Sequence, residues 1–591
     1  MDVEIFLTAL RMEHAAVVNF MRAFGLMLFV ASTQAQVNIE DESNRRLQQL
    51  EQRQRLRAEQ LRAAPDVRLD LPQAVPIDTV PLDESPCFII NDITLTELDS
   101  SQPPLAFTRA LKQTLNSRIS PNGPAGLLGQ CYGAQGINVI MRRLQNNIIQ
   151  QGYITTRIVA GPQQLKTGVL ALTVISGRIG NIQLRSPEGS RPPFKKLLPF
   201  KKGDLLNLRF IEQALEDFKR LPSAVVDIKI VPTQGDKALP GQSDLVVLWE
   251  QGRPWRVNFS VDNSGSEATG IYQGTAFFAL DNAFRLNDSF TIDVGGDLAD
   301  ASPGDGGTRT FSWRYSFPVG LWRFAVNGNR FEYFQTIKQT FSNVRYSGTS
   351  QSFGGGVSRL LYRNSVRKID VGLDVWTRKS NNFIEDVETL NQRRRTGGYE
   401  LRVNYREFIG RSTLSGSAIY RRGTGLNDAL QAPEEISGKG TAQPSILKAN
   451  VQFTTPFQIA EQSLRYNTQF RGQWNRDPLT VQDRFSIGSN YTVRGSDGER
   501  TLAGERGWLL RNDLEIKTPY SNQWVYVGLD YGYVNSNTNE LNQDWLAGSA
   551  LGIKGFYRSV SYDLSIVTPI DEPEGFEIDR PGIYFSLNWQ Y

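Results

Sequence analysis

Few side chains in this 591-residue chain could perform catalysis or bind a metal. The single histidine is His14, near the amino terminus, and the two cysteines are Cys87 and Cys131. Histidine-based nucleophilic catalysis and His/Cys metal sites therefore lack the residues they need in the rest of the chain. The sequence also contains no glycine-rich phosphate-binding loop. It predicts a protein that is not an enzyme and that uses no metal or cofactor.

The two cysteines are suited to forming one disulfide. Residues 1–35 are predicted to be a signal peptide, because an apolar run from Phe20 to Phe29 is followed by small residues that allow cleavage after Ala35. Disulfides form and persist in exported proteins. We therefore expect a Cys87–Cys131 bridge, and the alternative is a chance pair of buried thiols.

A charged loop is another feature of the sequence that could have a specific role. The stretch "VRGSDGERTLAGERG", residues 493–507, holds three arginines, three acids and four glycines between two predicted strands. Composition alone predicts a solvated surface loop. Arg494 could have a specific role only if the fold brings a carboxylate to it, so the surrounding elements decide its meaning.

The carboxyl-terminal part of the chain, residues 254–591, has the pattern of a transmembrane β-barrel. Segments of about ten residues alternate apolar and polar side chains, as in Tyr399–Arg406, where four apolar or aromatic residues alternate with four polar ones. An apolar face suits lipid, and a polar face suits a wet lumen. We count 16 strands, an even number, joined alternately by long and short connections. The predicted fold class is a membrane all-β protein with a 16-stranded barrel.

Strand parity gives the charged loop a possible partner. Long connections are assigned to the outside and short ones to the periplasm, so the loop after the eleventh strand lies on the outer side. In the thirteenth strand, alternate aliphatic residues of Val525–Leu529 face lipid, so Asp530 faces the lumen between Gly528 and Gly532. The glycines leave room for another group to approach the carboxylate closely.

The region before the barrel predicts four segments. Residues 36–64 form a helix that is polar all round, which suits a plug inside a wide lumen; the alternative is a free, disordered tail. Residues 65–86 are a proline-rich, extended linker. Residues 87–175 and 176–253 alternate strands and amphipathic helices, and we predict two small α+β units. Net charge is only +4, and no basic patch indicates a nucleic-acid partner.

This order of elements resembles the outer-membrane transporters of two-partner secretion, the haemolysin activator/secretion protein (TpsB) family of the outer-membrane assembly factor superfamily. The first unit resembles a polypeptide-transport-associated (POTRA) domain through "CFIINDITL" and "QQLKTGVLALTVISGRI". The second unit resembles the second POTRA domain of the family through "RLPS" and "PGQSDL". The start of the barrel resembles that of the family through "VDNSGSEATGIYQG". The resemblance implies a Gram-negative outer-membrane barrel with two periplasmic POTRA domains and a Cys87–Cys131 bridge.

Two short motifs match the signature of this superfamily. The motif residues are Val493, Arg494 and Gly495 in the loop, and Gly528, Asp530 and Gly532 in the strand. The resemblance implies that the loop folds back into the lumen and that its arginine pairs with the aspartate. Arginine suits this task because its planar fork meets a carboxylate at two points. The family usually has Tyr or Phe after VRG, and this chain has Ser496, so one aromatic contact is expected to be missing.

The resemblance implies a translocation pore without chemistry of its own. It would recognise an unfolded partner exoprotein, bearing an amino-terminal secretion domain, through its POTRA domains. The exoprotein could add a strand to the edge of a POTRA sheet and dock its apolar side chains between helix and sheet. Candidate contacts are residues 136–152 and 208–220; the alternative is that their apolar residues only belong to the domain cores. Other expected partners are outer-membrane lipid, the barrel assembly machinery and periplasmic chaperones.

Two other functions compete with export. An insertase of barrel proteins from the same superfamily would usually carry more periplasmic units and lack the leading helix and linker. A diffusion porin or adhesin would need neither the units nor the paired motifs. The cargo stays open among adhesins, haemolysins, haem-binding proteins and contact-dependent toxins.

Overall fold

The fold is known from a computed structural model. It describes residues 67–69, 79–98, 103–120, 122–123, 125–236, 238–298, 305–338, 343–496, 500–520, 522–535, 543–574, 576 and 581–591. The predicted signal peptide, the predicted plug helix and most of the predicted linker lie outside the described residues.

The first unit is a small α+β fold whose two helices cover one sheet. Its elements are β1 (Phe88–Ile90), β2 (Asp92–Glu97), α1 (Leu105–Leu115), β3 (Gln130–Tyr132), α2 (Ala134–Gln150), β4 (Arg157–Val159) and β5 (Val169–Ile175). The sheet order is β2-β5-β4, with β2 parallel to β5, and β1 pairs separately with β3. Cys87 and Cys131 are bonded, with their Cα atoms 5.4 Å apart, beside the β1–β3 pair.

The second unit has the same plan with a single α-helix. Its elements are β6 (Arg178–Arg185), α3 (Leu208–Lys219), β7 (Ala224–Pro232) and β8 (Gln242–Gln251), in the sheet order β6-β8-β7. Asn207 caps α3, since its side chain accepts a hydrogen bond from the Arg209 amide at 2.9 Å. Trp249 is fully buried and meets Phe218 edge to face at 5.4 Å, which fixes the helix on the sheet.

The remaining chain closes into a 16-stranded antiparallel barrel, which confirms the predicted fold class. Its strands are β9 (Trp255–Asp262), β10 (Gln273–Asp281), β11 (Ser289–Asp297), β12 (Gly306–Val319), β13 (Trp322–Lys338), β14 (Asn343–Arg363), β15 (Arg367–Ile384), β17 (Arg394–Ile409), β18 (Ser412–Thr424), β19 (Ser445–Ile459), β20 (Gln462–Asn475), β23 (Arg506–Lys517), β24 (Gln523–Asn535), β25 (Trp545–Tyr557), β26 (Val560–Asp571) and β27 (Gly582–Gln590). The last strand pairs with the first, so no edge stays open. Three short strands, β16 (Val387–Glu388), β21 (Phe485–Ile487) and β22 (Leu502–Gly504), lie in the long connections. None of the described helices has the length and apolar character needed to cross a membrane.

Helix α3 lies between its own sheet and the short turns of the barrel. Its apolar side belongs to the core of the second unit. On its polar side, Arg363 Nη1 lies 2.6 Å from Glu216 Oε2, and Lys368 Nζ also contacts Glu216. Ten of its 12 residues are buried, so residues 208–220 are a joint between unit and barrel and not an accessible exoprotein contact.

The proline-rich segment does not act only as a tether. Val67 is buried in the core of the second unit, and its carbonyl accepts a 2.6 Å hydrogen bond from Arg363 Nη2. The Leu69 amide donates to Glu212 Oε1 at 3.0 Å, and the Arg68 guanidinium carbon lies 3.3 Å above the Phe408 ring. These contacts fix residues 67–69 at the joint. Composition alone does not reveal them, because it indicates only that the segment between the prolines is extended.

The end of the same segment is fixed on the first unit. Val80 is buried in its core, and the Val80 amide donates to the Ile119 carbonyl at 2.8 Å. The Glu84 carboxylate accepts hydrogen bonds from the amides of Gly133, Gln135 and Gly136 at 2.7–3.0 Å. Glu84 thus caps the amino-terminal end of α2, where a negative charge and acceptor oxygens are favoured.

Candidate functional site

The long connection between β20 and β23 folds back into the barrel. The pair β21–β22 forms its base. Val493, near the tip, is 2% exposed and packs with Leu509 of β23, Val534 of β24 and Leu546 of β25. A loop of this charge is buried there because the barrel wall supplies both apolar contacts and opposite charges.

Arg494 meets Asp530 through three hydrogen bonds. Its Nε lies 2.6 Å from Oδ2 and its Nη2 lies 2.7 Å from Oδ1, so the guanidinium fork is bidentate. The Arg494 amide also donates to Oδ2 at 3.0 Å. The side chains are 3% and 0% exposed. We call Arg494, Asp530 and the glycines Gly495, Gly528 and Gly532 the loop lock.

A second carboxylate, which the sequence motifs did not indicate, contacts the same guanidinium. Asp513 Oδ1 is 2.7 Å from Arg494 Nη2, an ion pair without the alignment of a hydrogen bond. Asp513 lies on β23 directly opposite Gly528 of β24. Because paired residues share a face of the sheet, applying strand parity to β23 as well would have found it. One cation thus faces two acids in the wall.

The glycines of β24 make room for the loop. A side chain at Gly528 would collide with the Arg494 guanidinium, and a Cβ at Gly532 would lie 2.7 Å from Val493 Cγ2. Alternation along β24 leaves Val527 and Leu529 exposed on the lipid side and buries Tyr526, Gly528 and Asp530 on the lumen side. The loop therefore lies directly on the wall, as the flanking glycines allow.

Two further glycines shape the tip. Gly495 adopts φ +110°, a conformation that L side chains rarely adopt, and a Cβ there would lie 2.9 Å from Pro569. A side chain at Gly548 of β25 would collide with the Arg494 carbonyl oxygen. Gly548 cannot be predicted from the sequence motifs, since none of them contains it.

Ser496 takes the place where the family usually has an aromatic residue. It is 3% exposed, and its carbonyl accepts a hydrogen bond from the Tyr584 hydroxyl of β27. The Tyr584 ring belongs to a small buried cluster with Tyr526 and Val567. An aromatic side chain from the last strand therefore contacts the loop tip from the wall.

The loop contacts strands far apart around the lumen. Near its start, Gln482 Nε2 donates a hydrogen bond to Ser380 Oγ of β15 at 3.0 Å. Arg511 Nη1 donates to the Asn490 carbonyl at 2.9 Å, and the Tyr491 hydroxyl lies 3.1 Å from Ser264 Oγ, just after β9. Its contacts thus run from β15 and β18 through β23 and β27 to the end of β9. Among the residues that the structure describes, no group of three His, Cys, Asp or Glu side chains is arranged for a metal ion.

Comparisons with known families agree with this architecture. The model of the family described as "Haemolysin secretion/activation protein ShlB/FhaC/HecB" matches residues 241–555. The model "POTRA domain, ShlB-type" matches residues 124–177, and a second POTRA model matches residues 178–232.

Individual relatives cover most of the chain. It is 33% identical over 537 residues to "Outer membrane transporter CdiB-2" of Burkholderia pseudomallei, covering 89% of this chain and 90% of the relative. It is 26% identical over 457 residues to "Hemolysin transporter protein ShlB" of Serratia marcescens, covering 77% and 79%. The solved structure of CdiB from Acinetobacter baumannii aligns with a TM-score of 0.79 at 29% identity, covering 93% of this chain and 99% of that one. The chain therefore belongs to the ShlB/FhaC/HecB family of outer-membrane transporters, whose members are transporters and not enzymes and whose POTRA domains are periplasmic.

Proposed function

We propose that this chain recognises an unfolded partner exoprotein in the periplasm through its POTRA domains and secretes it across the outer membrane. The observation that carries the proposal is the loop lock in the lumen of a closed barrel. It holds a 30-residue connection, 476–505, inside the lumen, on the route that a cargo must take. The haemolysin transporters among its relatives support a large exoprotein as the cargo class.

The accessible surface of the first POTRA domain supports recognition there. Strands β2 and β4 are the outer strands of its sheet, and an extended segment can add to such an edge by main-chain hydrogen bonds. Of the two helical segments considered as contacts, residues 136–152 keep exposed side chains such as Asn138 and Arg142, whereas residues 208–220 are buried at the joint. Recognition is therefore assigned mainly to the first domain.

Biogenesis would follow the ordinary route for outer-membrane barrels, with periplasmic chaperones and the barrel assembly machinery as partners. The last strand supports this expectation, because Tyr591 follows it and packs against Trp255 of the first strand at 6.2 Å. This aromatic contact joins the last strand to the first and helps to close the barrel.

Secretion can be tested directly in a Gram-negative host. The exoprotein encoded beside this chain would be expressed with and without it, and the culture medium assayed for that protein. We expect exoprotein in the medium only when the transporter is present; equal amounts without it would contradict the proposal. Levels of unrelated outer-membrane barrels serve as the control, since an insertase would change those levels and a transporter would not.

A further inference from the structure

The second POTRA domain contains the same tetrapeptide twice. "PFKK" occurs as Pro193–Lys196 and again as Pro199–Lys202. The fold treats the two phenylalanines in opposite ways: Phe200 is 6% exposed in the domain core, whereas Phe194 is 48% exposed. All four lysines are at least partly exposed. An exposed phenylalanine followed by two lysines needs an explanation that the domain core does not supply.

The first copy is bound to the periplasmic turns of the barrel. The Phe194 amide donates to the Arg285 carbonyl at 3.1 Å, and Arg285 Nε donates to the Pro192 carbonyl at 3.0 Å. The Gly320 amide, in the turn between β12 and β13, donates to the Leu197 carbonyl at 2.8 Å. Lys195 Nζ also donates a hydrogen bond to the Ile182 carbonyl of β6 at 2.8 Å, which leaves two of its three protons for another acceptor. Lys195 and Lys196 are therefore held at the level where the barrel leaves the membrane.

The surface around this copy is aromatic and basic. Arg285 lies 4.9 Å above the Phe194 ring, and the adjacent Phe284 is 66% exposed. Phe284 packs edge to face on Tyr315, on the lipid-facing side of β12, at 6.0 Å. Arg359 is exposed and lies 4.9 Å above the Trp322 ring beside Gly320. Aromatic rings with lysines and arginines are typical of the level of lipid headgroups.

An apolar groove begins next to this surface and follows the lipid-facing wall. Its volume is about 420 Å³, and it is lined by Phe317, Phe324, Val326, Gly355, Val357 and Leu373. Phe317 stacks on Phe324 at 5.3 Å and meets Tyr315 at 5.8 Å, so the rings connect the groove to the headgroup level. Gly355 keeps part of the groove open, because a Cβ there would lie 3.1 Å from Val326 Cγ1, another lining residue.

We propose that this junction binds one anionic phospholipid of the periplasmic leaflet. Its phosphate would lie among Lys195, Lys196 and Arg359, and an acyl chain would occupy the groove above. Charge complementarity and the lipid-facing position favour a phospholipid over an acidic polypeptide. The lipid would bridge the second POTRA domain and the barrel wall from outside, opposite α3, which joins them from inside.

Native mass spectrometry of the full chain in detergent, titrated with phosphatidylglycerol or with phosphatidylcholine of the same acyl chains, tests the proposal. A lysine near an anionic surface contributes roughly fivefold, so the Lys195→Gln/Lys196→Gln variant should bind phosphatidylglycerol about 30-fold more weakly. The matched control is Lys201→Gln/Lys202→Gln, which removes the same charge from the same tetrapeptide and should leave binding unchanged.

The groove has its own variant. Gly355→Leu fills it on the lipid side, and it should weaken both lipids by a similar factor. Equal affinity of the wild type for the two lipids, or equal losses in the two lysine variants, would overturn the proposal. So would loss of exoprotein binding in Lys195→Gln/Lys196→Gln with unchanged lipid affinity, which would make the surface a polypeptide site.

Discussion

At the scale of single residues, one buried cation faces two acids. The Arg494 guanidinium meets Asp530 through two hydrogen bonds and Asp513 through an ion pair. Breaking a buried pair by removing one partner costs about 3–5 kcal/mol, because the remaining charge stays uncompensated. Removing Arg494 leaves two buried acids in the barrel wall without their cation, directly beneath the tip of the loop. We therefore expect the loop to lose its position on the wall.

The first prediction concerns that arginine. Arg494→Ala should reduce exoprotein secretion to below about a tenth of the wild-type level, since the loop loses its strongest contact with the wall. The barrel itself should still assemble, as judged by heat-modifiable mobility on gels. Arg506→Ala is the matched control, because Arg506 belongs to the same region, is exposed and donates its hydrogen bonds to Asn475, away from the loop lock. Wild-type secretion by Arg494→Ala would mean that the ion pair has no part in export.

Strand parity is enough to place Asp530 in the lumen, because the period of a strand is two. It could not find Tyr584, whose hydroxyl meets the loop tip from the last strand, 88 residues away. Nor could it find Gly548, which matters only because the Arg494 carbonyl lies against it. These contacts depend on how the loop folds inside the closed barrel, and no local pattern encodes that path.

At the scale of elements, α3 carries the joint between the second POTRA domain and the barrel. Burial alone would raise the pKa of Glu216, but the charges of Lys368 and Arg363 and their hydrogen bonds outweigh it, so its pKa lies below the ordinary 4.5. A lowered folded-state pKa contributes stability that is complete above the ordinary value and is lost as pH falls through the lowered one. The joint should therefore loosen only in acid.

The second prediction follows from the lowered pKa of Glu216. Hydrogen exchange of α3 should stay slow from pH 7 down to about 4.5 and become faster below it, after correction for the intrinsic pH dependence of exchange. Glu216→Gln should weaken protection at pH 7 by about 1–3 kcal/mol and flatten the pH profile. Glu250→Gln, an exposed change in the same domain, should match the wild type. A steep acid transition retained in Glu216→Gln would assign the pH dependence to other groups.

Composition could predict the helices and strands of the two units but not the behaviour of the segment before them. Its prolines indicate extended backbone, and that property says nothing of where the chain binds. Val67, Leu69 and Glu84 find partners in three different elements, which only the assembled fold brings close. The joint likewise escaped prediction, because the polar side of α3 has the pattern of a solvated helix face.

At the scale of the whole molecule, we expect the resting conductance to be much lower than the width of the barrel would allow, because the lumen is obstructed. The connection that the loop lock holds occupies part of the lumen, and we propose that residues 38–62 fill the remainder. Deleting residues 38–62 should raise the single-channel conductance in planar bilayers several-fold, with the full-length chain as the control. An unchanged conductance would show that this segment does not obstruct the pore.

The binding of residues 67–69 to the joint changes how such a plug would behave. Residue 62 is five residues before Val67, so the segment that precedes it can move its near end by at most roughly 18 Å from the barrel rim. A free linker of 22 residues, 65–86, would have allowed several times that reach. This short connection gives residues 38–62 an effective concentration at the pore mouth on the order of millimolar. If residues 38–62 fill the pore as proposed, an exoprotein would have to outcompete that local concentration to enter, and the pore would close again without a diffusional encounter once the cargo has left.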